Sequence, residues 1–247
     1  MPRYDFISQR LFVQDDLKAG TMLDVDRGQS NYLVNVLRLK DDAPLLVFNG
    51  RDGEWQARLR QLGRKKAALE VVSLTRPQTP AYDLHYLFAP LKQARLEYMV
   101  QKAVEMGVGV LQPVLTQYTQ TRKLNLERMS AHAIEAAEQC GILNLPKINS
   151  PLGLEELLAD LPTERRLIFC DEGEATQNPL TPLEGVEKGP LSVLVGPEGG
   201  FSEDERALLH SHANVTPIPL GPRVLRADTA AVAALAIIQA SIGDWHD

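Results

Sequence analysis

What most restricts the fold is a repeated handover from a short apolar run to a helical pattern across residues 83–247. The clearest case is Leu191–Val195, an apolar strand that runs into Gly196-Pro197-Glu198-Gly199-Gly200. Ser202 and Glu205 then form a capping-box pattern that opens the next helix. Asp83–Pro90 precedes a helix whose Leu96, Met99, Val100, Ala103, Val104 and Gly107 share one face. Val110–Leu115 precedes a second helix over Glu127–Cys140, and Leu154–Leu161 reads as helix before a strand at Arg166–Cys170. Gly173–Pro190 reads as loop, Ser202–Ala213 as helix, Val215–Leu220 as strand and Thr229–Ile242 as a final helix. Strands that alternate with helices imply an α/β fold around a mainly parallel, buried sheet.

The first 75 residues follow a different rule. Strand-like runs at Val36–Leu39, Pro44–Phe48, Glu54–Leu59 and Ala67–Leu74 are separated by Lys40-Asp41-Asp42, Asn49–Gly53 and Gly63–Lys66. That spacing predicts a small all-β barrel or sandwich, with a short helix available around Gln29–Leu37. Thr75–Tyr82 carries two prolines and reads as a linker. The expected division is therefore a β unit over 1–75, a linker over 76–82 and an α/β domain over 83–247.

Charge narrows the partners. Residues 1–75 hold 12 basic and 10 acidic side chains, a net of +2, while the remainder holds 14 and 22, a net of −8. An acidic whole is the wrong sign for coating nucleic acid by bulk electrostatics, so any RNA contact must be local and shaped. The longest apolar run, Ala230–Ile238, is nine residues, well short of the roughly 20 of a membrane helix. Cys140 and Cys170 lie thirty residues apart without metal-ligand spacing, and Cys140 is expected to be a small buried side chain on its helix. The chain reads as a cytoplasmic protein with no metal site.

Two segments carry chemistry. In Gly196–Gly200, three glycines with Pro and Glu in five residues go beyond a plain strand-to-helix turn, at the strand end where open α/β sheets bind ligands. The loop matches neither phosphate-binding glycine pattern, and Glu198, Glu203, Asp204 and Glu205 disfavour a triphosphate. A cationic, phosphate-free ligand such as S-adenosylmethionine suits that field. In Pro217–Leu235 a Gly-Pro turn leads to Arg223 and Arg226 flanking Val224-Leu225, with Asp228 or Thr229 as cap of a long apolar helix. His210 and His212, two residues apart on a helix, read as a solvated pair on different faces.

GPEGGFSEDE and LGPRVLRADTA together closely resemble the two C-terminal signatures of the RsmE family, bacterial 16S rRNA (uracil-N3)-methyltransferases of the SPOUT superfamily. Val36-Leu37-Arg38-Leu39 with Phe48-Asn49-Gly50, Gln101–Val108 and Glu135–Cys140 resemble further family patterns in order along the chain. Two departures stand out. Ala227-Asp228-Thr229 replaces a Thr-Glu-Thr, and Gly141-Ile142-Leu143-Asn144 lacks two arginines that are common in the family.

The resemblance implies a PUA-like β-barrel followed by a SPOUT α/β domain with a trefoil knot. It implies a homodimer that binds S-adenosylmethionine and methylates N3 of the uridine at 16S nucleotide 1498. On that basis the cofactor is expected against Leu194, Val195, Gly196, Pro197, Glu198, Gly199 and Gly200. The second loop is expected to add Leu220, Gly221, Val224, Leu225 and Arg226. Arg226 is the candidate for charge stabilisation, and Glu198 or Asp228 the candidate base. RNA contacts are expected from Arg3, Arg10, Arg38, Lys40 and Arg51. Two rival classes remain at this stage. A nucleotide-dependent regulator would use the glycine loops but not the β unit, and a non-catalytic RNA-binding module would use the β unit but not the loops.

Overall fold

The computed structural model describes Asp5 and residues 8–63, 66–173 and 178–246. The chain divides into two compact units: Met1–Pro80 with Ala137–Leu145, and Ala81–Ala136 with Pro146–Asp247.

The first unit contains strands β1 (Arg10–Phe12) and β2 (Met22–Asp24), helix α1 (Arg27–Asn31), and strands β3 (Pro44–Phe48), β4 (Glu54–Gly63) and β5 (Lys66–Arg76). They form one sheet in the order β1-β3-β4-β5-β2, antiparallel except for the β1–β3 pair. Register shifts along β4–β5 bend the two long strands, as bulges do. Inward-facing Leu45, Val47, Ala57, Leu59, Leu69 and Val71 build its core.

Two sequence expectations change here. Val36–Leu39 is not a strand: a capping box of Asp26 and Gln29 starts α1, and Tyr32–Val36 continues it as a π-helical turn before Arg38 takes φ of +55°. Local capping overrides the β-branched composition of that stretch. Strands β1 and β2 are three residues each, too short to show a period-2 signal.

The second unit contains β6 (Leu84–Phe88), α2 (Gln93–Glu105), β7 (Val110–Leu115) and α3 (Leu126–Cys140), whose last turn is grouped with the first unit. Short strands β8 (Lys147–Ile148) and β9 (Leu152–Gly153) and helix α4 (Leu154–Ala159) follow. The chain then forms β10 (Arg166–Cys170), β11 (Leu191–Val195), α5 (Glu203–Ser211), β12 (Val215–Ile218) and α6 (Ala227–Ser241). The sheet order is β12-β10-β11-β6-β7-β8, with every pair parallel.

Leu87, Leu167, Phe169 and Leu194 face α4 and α5, packing on Leu154, Leu158 and Leu209. Residues of opposite parity face the other side, where the Tyr86 hydroxyl meets Met99 Sδ of α2 at 3.2 Å. The expected mainly parallel, buried sheet is what forms. Cys140 departs from expectation: it is exposed, because the buried stripe of α3 runs through Met129, Ala133, Ala136 and Ala137 instead.

Candidate active site

Because β12, β10 and β11 are adjacent and parallel, the loops leaving their carboxyl ends emerge side by side. They enclose a cavity of about 700 Å³, within the range of small-molecule and cofactor sites. The β11 loop contributes Val195 to Glu198 and Gly200, and the β12 loop contributes Pro219 through Ala227. These are the two segments singled out in the sequence, and the fold brings them to one crevice.

The glycine loop is shaped by its neighbours. A Cβ on Gly196 would lie 2.4 Å from the Phe201 ring, so only glycine lets the loop pack on that ring. Gly200 takes φ of +69°, in the left-handed region that glycine enters at little cost. Ser202 then caps α5: its Oγ accepts from Glu205 N at 3.2 Å, and Glu205 Oε2 accepts from Ser202 N at 2.9 Å. The predicted capping box is present. The other oxygen of Glu205 accepts from the Gln117 amide at 2.7 Å, which ties the start of α5 to the loop after β7.

Not every expected residue lines the cavity. Val195, Gly196, Pro197, Glu198, Gly200, Leu220, Gly221, Val224, Leu225 and Arg226 do. Leu194 lies wholly in the core against α5, and Gly199 turns to a smaller hollow beside Tyr118. Asp228 is not in the lining. It is buried, and its Oδ1 accepts from Thr229 N at 3.0 Å with Arg226 Nε at 3.8 Å. Neither Asp228 nor Thr229 is the cap of α6, since the capping position is Arg226 and Asp228 sits in the first turn.

A third wall was not anticipated. Cys170, Asp171, Glu172 and Gly173, at the end of β10, line the cavity together with Arg206 of α5. Asp171 is buried, and its Oδ2 accepts from Arg206 Nη2 at 2.8 Å and meets His210 Nε2 at 2.9 Å, while Oδ1 accepts from Gly173 N at 3.0 Å. Burial opposes ionisation, but the hydrogen bonds from Arg206, Gly173 and His210 and the Arg206 charge outweigh it. The carboxyl is held below its usual range. His210 is thus no simple solvated group. Burial also pushes the Cys170 thiol up to about 12, which keeps it protonated and unreactive.

Arg95, on the first turn of α2, reaches into the same cavity and pairs with Glu198. The strand-end rule, applied to β10 as to β11 and β12, finds Asp171 in the sequence. Nothing local marks Arg95.

Of the RNA-contact candidates, Arg3 lies outside the described residues. Arg10 is a correction: it is buried, with Nε on Glu54 Oε1 at 3.0 Å and Nη2 on the Asp5 carbonyl at 2.5 Å. A guanidinium so enclosed has no face for a phosphate. Arg38 and Lys40 are exposed, and Arg51 is half-exposed on Asp16 at 2.7 Å. The segment Gly141–Asn144, where the arginines common in the family are missing, is bound within the first unit. Gly141 O accepts from Arg76 Nη2 at 2.8 Å, and Asn144 Oδ1 accepts from Gln78 at 2.6 Å.

Comparison with known proteins places this geometry. A family model for an RNA methyltransferase domain matches residues 77–239, and one for an RNA methyltransferase PUA domain matches residues 25–72. Fold and loops thus define an RNA methyltransferase with an N-terminal PUA domain. The ribosomal RNA small subunit methyltransferase E of Rickettsia conorii is 30% identical over 233 residues, covering 93% of this chain and 94% of that one. The crystal structure of that enzyme's Neisseria gonorrhoeae counterpart, bound to S-adenosylmethionine, is 28% identical with a TM-score of 0.85, over 96% and 99% of the two chains. A Legionella pneumophila methyltransferase in complex with the same cofactor is 28% identical with a TM-score of 0.83, over 94% and 97%. The chain belongs to the ribosomal RNA small subunit methyltransferase E family.

Proposed function

We propose that the protein transfers the methyl group of S-adenosylmethionine to N3 of the uridine at 16S nucleotide 1498 in the small ribosomal subunit. The observation that carries this reading is the three-loop cavity at the ends of β10, β11 and β12. It is sized for a cofactor, lined by backbone and apolar groups of two glycine loops, and edged by Asp171, Glu172 and Glu198. Arg95, Arg206, Arg223 and Arg226 line it too, with Arg95 paired to Glu198 and Arg206 to Asp171, so the apolar and backbone lining, not net charge, favours S-adenosylmethionine. No group of metal-ligating side chains occurs among the described residues, and the reaction needs none.

When bound, S-adenosylmethionine supplies an electrophilic methyl group. Val195, Gly196, Pro197, Gly200, Leu220, Gly221, Val224 and Leu225 would hold it, chiefly through backbone and apolar contact. The chain's own task is to align the uracil and deal with its N3 proton. Glu198 lines the cavity and is the proton acceptor in this reading. Asp228, engaged with Thr229 N, acts only through Arg226. Arg226, exposed at the cavity edge, stabilises the charge that develops on the base.

Arg38 and Lys40 of the N-terminal unit contact the RNA backbone in this reading, while Arg51, held by Asp16 and the Gln14 carbonyl, is less available. In this reading the partition into 1–75, 76–82 and 83–247 rests on strand and helix spacing and a cytoplasmic location on composition, while the trefoil threading and a homodimer are what the family resemblance implies. No helix among the described residues is long and apolar enough to cross a membrane.

The test is methylation of small subunits that lack the modification, using labelled cofactor and mass mapping of the 16S RNA. A single 3-methyluridine at 1498 is the expected product. Cofactor binding without transfer would point to another RNA, and absence of cofactor binding would end the reading. Arg226→Ala is expected to lower single-turnover transfer by about 100-fold, the usual cost of one charge-stabilising donor. A near-normal rate would remove Arg226 from this role.

A further inference from the structure

We infer that Arg95 and Glu198 together read the target base, offering side by side one donor and one acceptor that match the N3–H and neighbouring carbonyl of a uracil. This inference rests on the methyltransferase reading above and deepens it, since it assigns a role to a residue that no sequence motif singled out.

Arg95 and Glu198 are 103 residues apart, yet Nη1 of one pairs with Oε1 of the other where α2 begins and the glycine loop turns. Both side chains are about two-fifths exposed, and both line the large cavity. Glu198 also borders the smaller hollow that holds Lys92 and Tyr118, so the pair sits on the ridge between the two. Neither side chain supports the core. Glu198 Oε2 and the other guanidinium N–H groups have no partner among the described residues, so they remain available to a ligand.

The chemistry of those open positions is specific. Proteins that act on a base in folded RNA extrude it and read its Watson–Crick edge. On that edge uracil presents an acceptor, a donor and an acceptor at O4, N3–H and O2. Glu198 Oε2 accepts from N3–H while an Arg95 N–H donates to the adjacent carbonyl. Cytosine presents a bare lone pair at N3 and an amino donor at C4, which sets acceptor against acceptor and donor against donor. Tyr118, exposed beside Gly199, provides an aromatic surface next to the ridge on which an extruded base or its neighbour stacks.

The pair also explains where charge goes. At rest, guanidinium and carboxylate neutralise each other. In the reaction the N3–H bond breaks and its proton passes to Glu198. The N3 electron pair forms the new bond to the methyl carbon, and the carbon–sulfur bonding pair stays on sulfur as the thioether. As Glu198 becomes neutral, Arg95 loses its counter-ion and takes up the anion spread over N3 and the two carbonyls. One cation thus serves two anions in turn, and Arg226 need not act alone.

The test is single-turnover transfer to unmodified small subunits at saturating cofactor, with cofactor affinity measured by calorimetry on the same preparations. Arg95→Ala is expected to slow transfer about 100-fold while leaving cofactor affinity within about threefold. Arg95→Lys, which keeps the charge but not the planar fork, should recover about tenfold of that loss. Subunits carrying 5-fluorouridine at the target, with a more acidic N3 proton, should restore Arg95→Ala and Glu198→Gln by at least about tenfold relative to uridine.

A loss below about tenfold in Arg95→Ala would overturn the assignment, as would a matching loss of cofactor affinity or no gain from 5-fluorouridine. Failure of the wild-type protein to bind cofactor or methylate uridine is a separate result. It would remove the methyltransferase reading itself, and this inference with it.

Discussion

Glu54 in the N-terminal unit and Asp171 in the C-terminal unit are both buried carboxylates held by two basic side chains, but their partners face different surroundings. Glu54 accepts from Arg10 Nε at 3.0 Å, Arg76 Nη2 at 2.6 Å and Thr75 Oγ1 at 3.0 Å; Arg10 is buried and Arg76 is mostly covered. Asp171 accepts from Arg206 and pairs with His210, and those two side chains remain more than a third exposed. The first cluster closes a β unit. The second fixes one wall of a cavity while leaving its basic groups at the rim.

The difference explains why a net charge of +2 over residues 1–75 does not amount to a free basic face. Arg10 is enclosed with Glu54, Arg58 and Arg60 pair with Asp42, and Arg51 pairs with Asp16. Counting charges by unit therefore overstates what RNA can reach. Among the described residues, Lys18, Arg27, Arg38, Lys40 and Lys66 remain exposed.

Glu54 is where the enclosed cluster is most vulnerable. Glu54→Ala removes the carboxylate shared by the buried Arg10 and the mostly covered Arg76, and it should cost about 3–5 kcal/mol of stability in urea denaturation. Catalysis per folded molecule should change little. A loss under about 1 kcal/mol would mean that the cluster is not sealed from water in solution.

Asp171→Asn should cost less, about 1–3 kcal/mol, because Arg206 and His210 can turn to solvent. Its larger effect should fall on the cofactor, as weaker S-adenosylmethionine binding by calorimetry, since the Cys170–Gly173 wall loses its anchor. Unchanged cofactor affinity would reduce Asp171 to a purely structural role.

The smallest effect lies in the acid limb of the stability profile. Burial opposes ionisation of both carboxylates and their hydrogen bonds outweigh it, so both are held below the ordinary value. Depressed carboxyls add stability that is complete above the unfolded value of about 4. That stability is lost as pH falls through the lower folded value. Thermal melting should therefore weaken from about pH 4 downward, with a shallower acid limb in Asp171→Asn than in the wild-type protein. Identical limbs would show that Asp171 titrates normally.

Much of the architecture was legible because it is written locally. Pro44–Phe48, Val110–Leu115, Arg166–Cys170 and Leu191–Val195 form strands over the residues their apolar runs suggested. The Ser202–Glu205 box starts α5 where its spacing placed it. The two glycine loops were found because strand ends in α/β sheets have a known use. Asp171 was missed although the same rule reaches it, since a single acid after a strand has no pattern of its own. Cys140 was misplaced because the buried stripe of α3 follows alanines, which report a helix face weakly.

By itself the sequence determined the alternation of strand and helix, the β-rich first unit, the loops that leave β11 and β12, and the family signatures they carry. The tertiary structure alone decided that β10 lies between those strands, that Asp171 meets Arg206 and His210, that Arg10 is enclosed, and that Arg95 reaches Glu198. Hydrophobic periodicity and capping act over two to four residues, so one segment suffices to reveal them. Sheet order and ion-pair choice depend on which distant segments pack together, a free-energy balance over the whole chain that no single window contains.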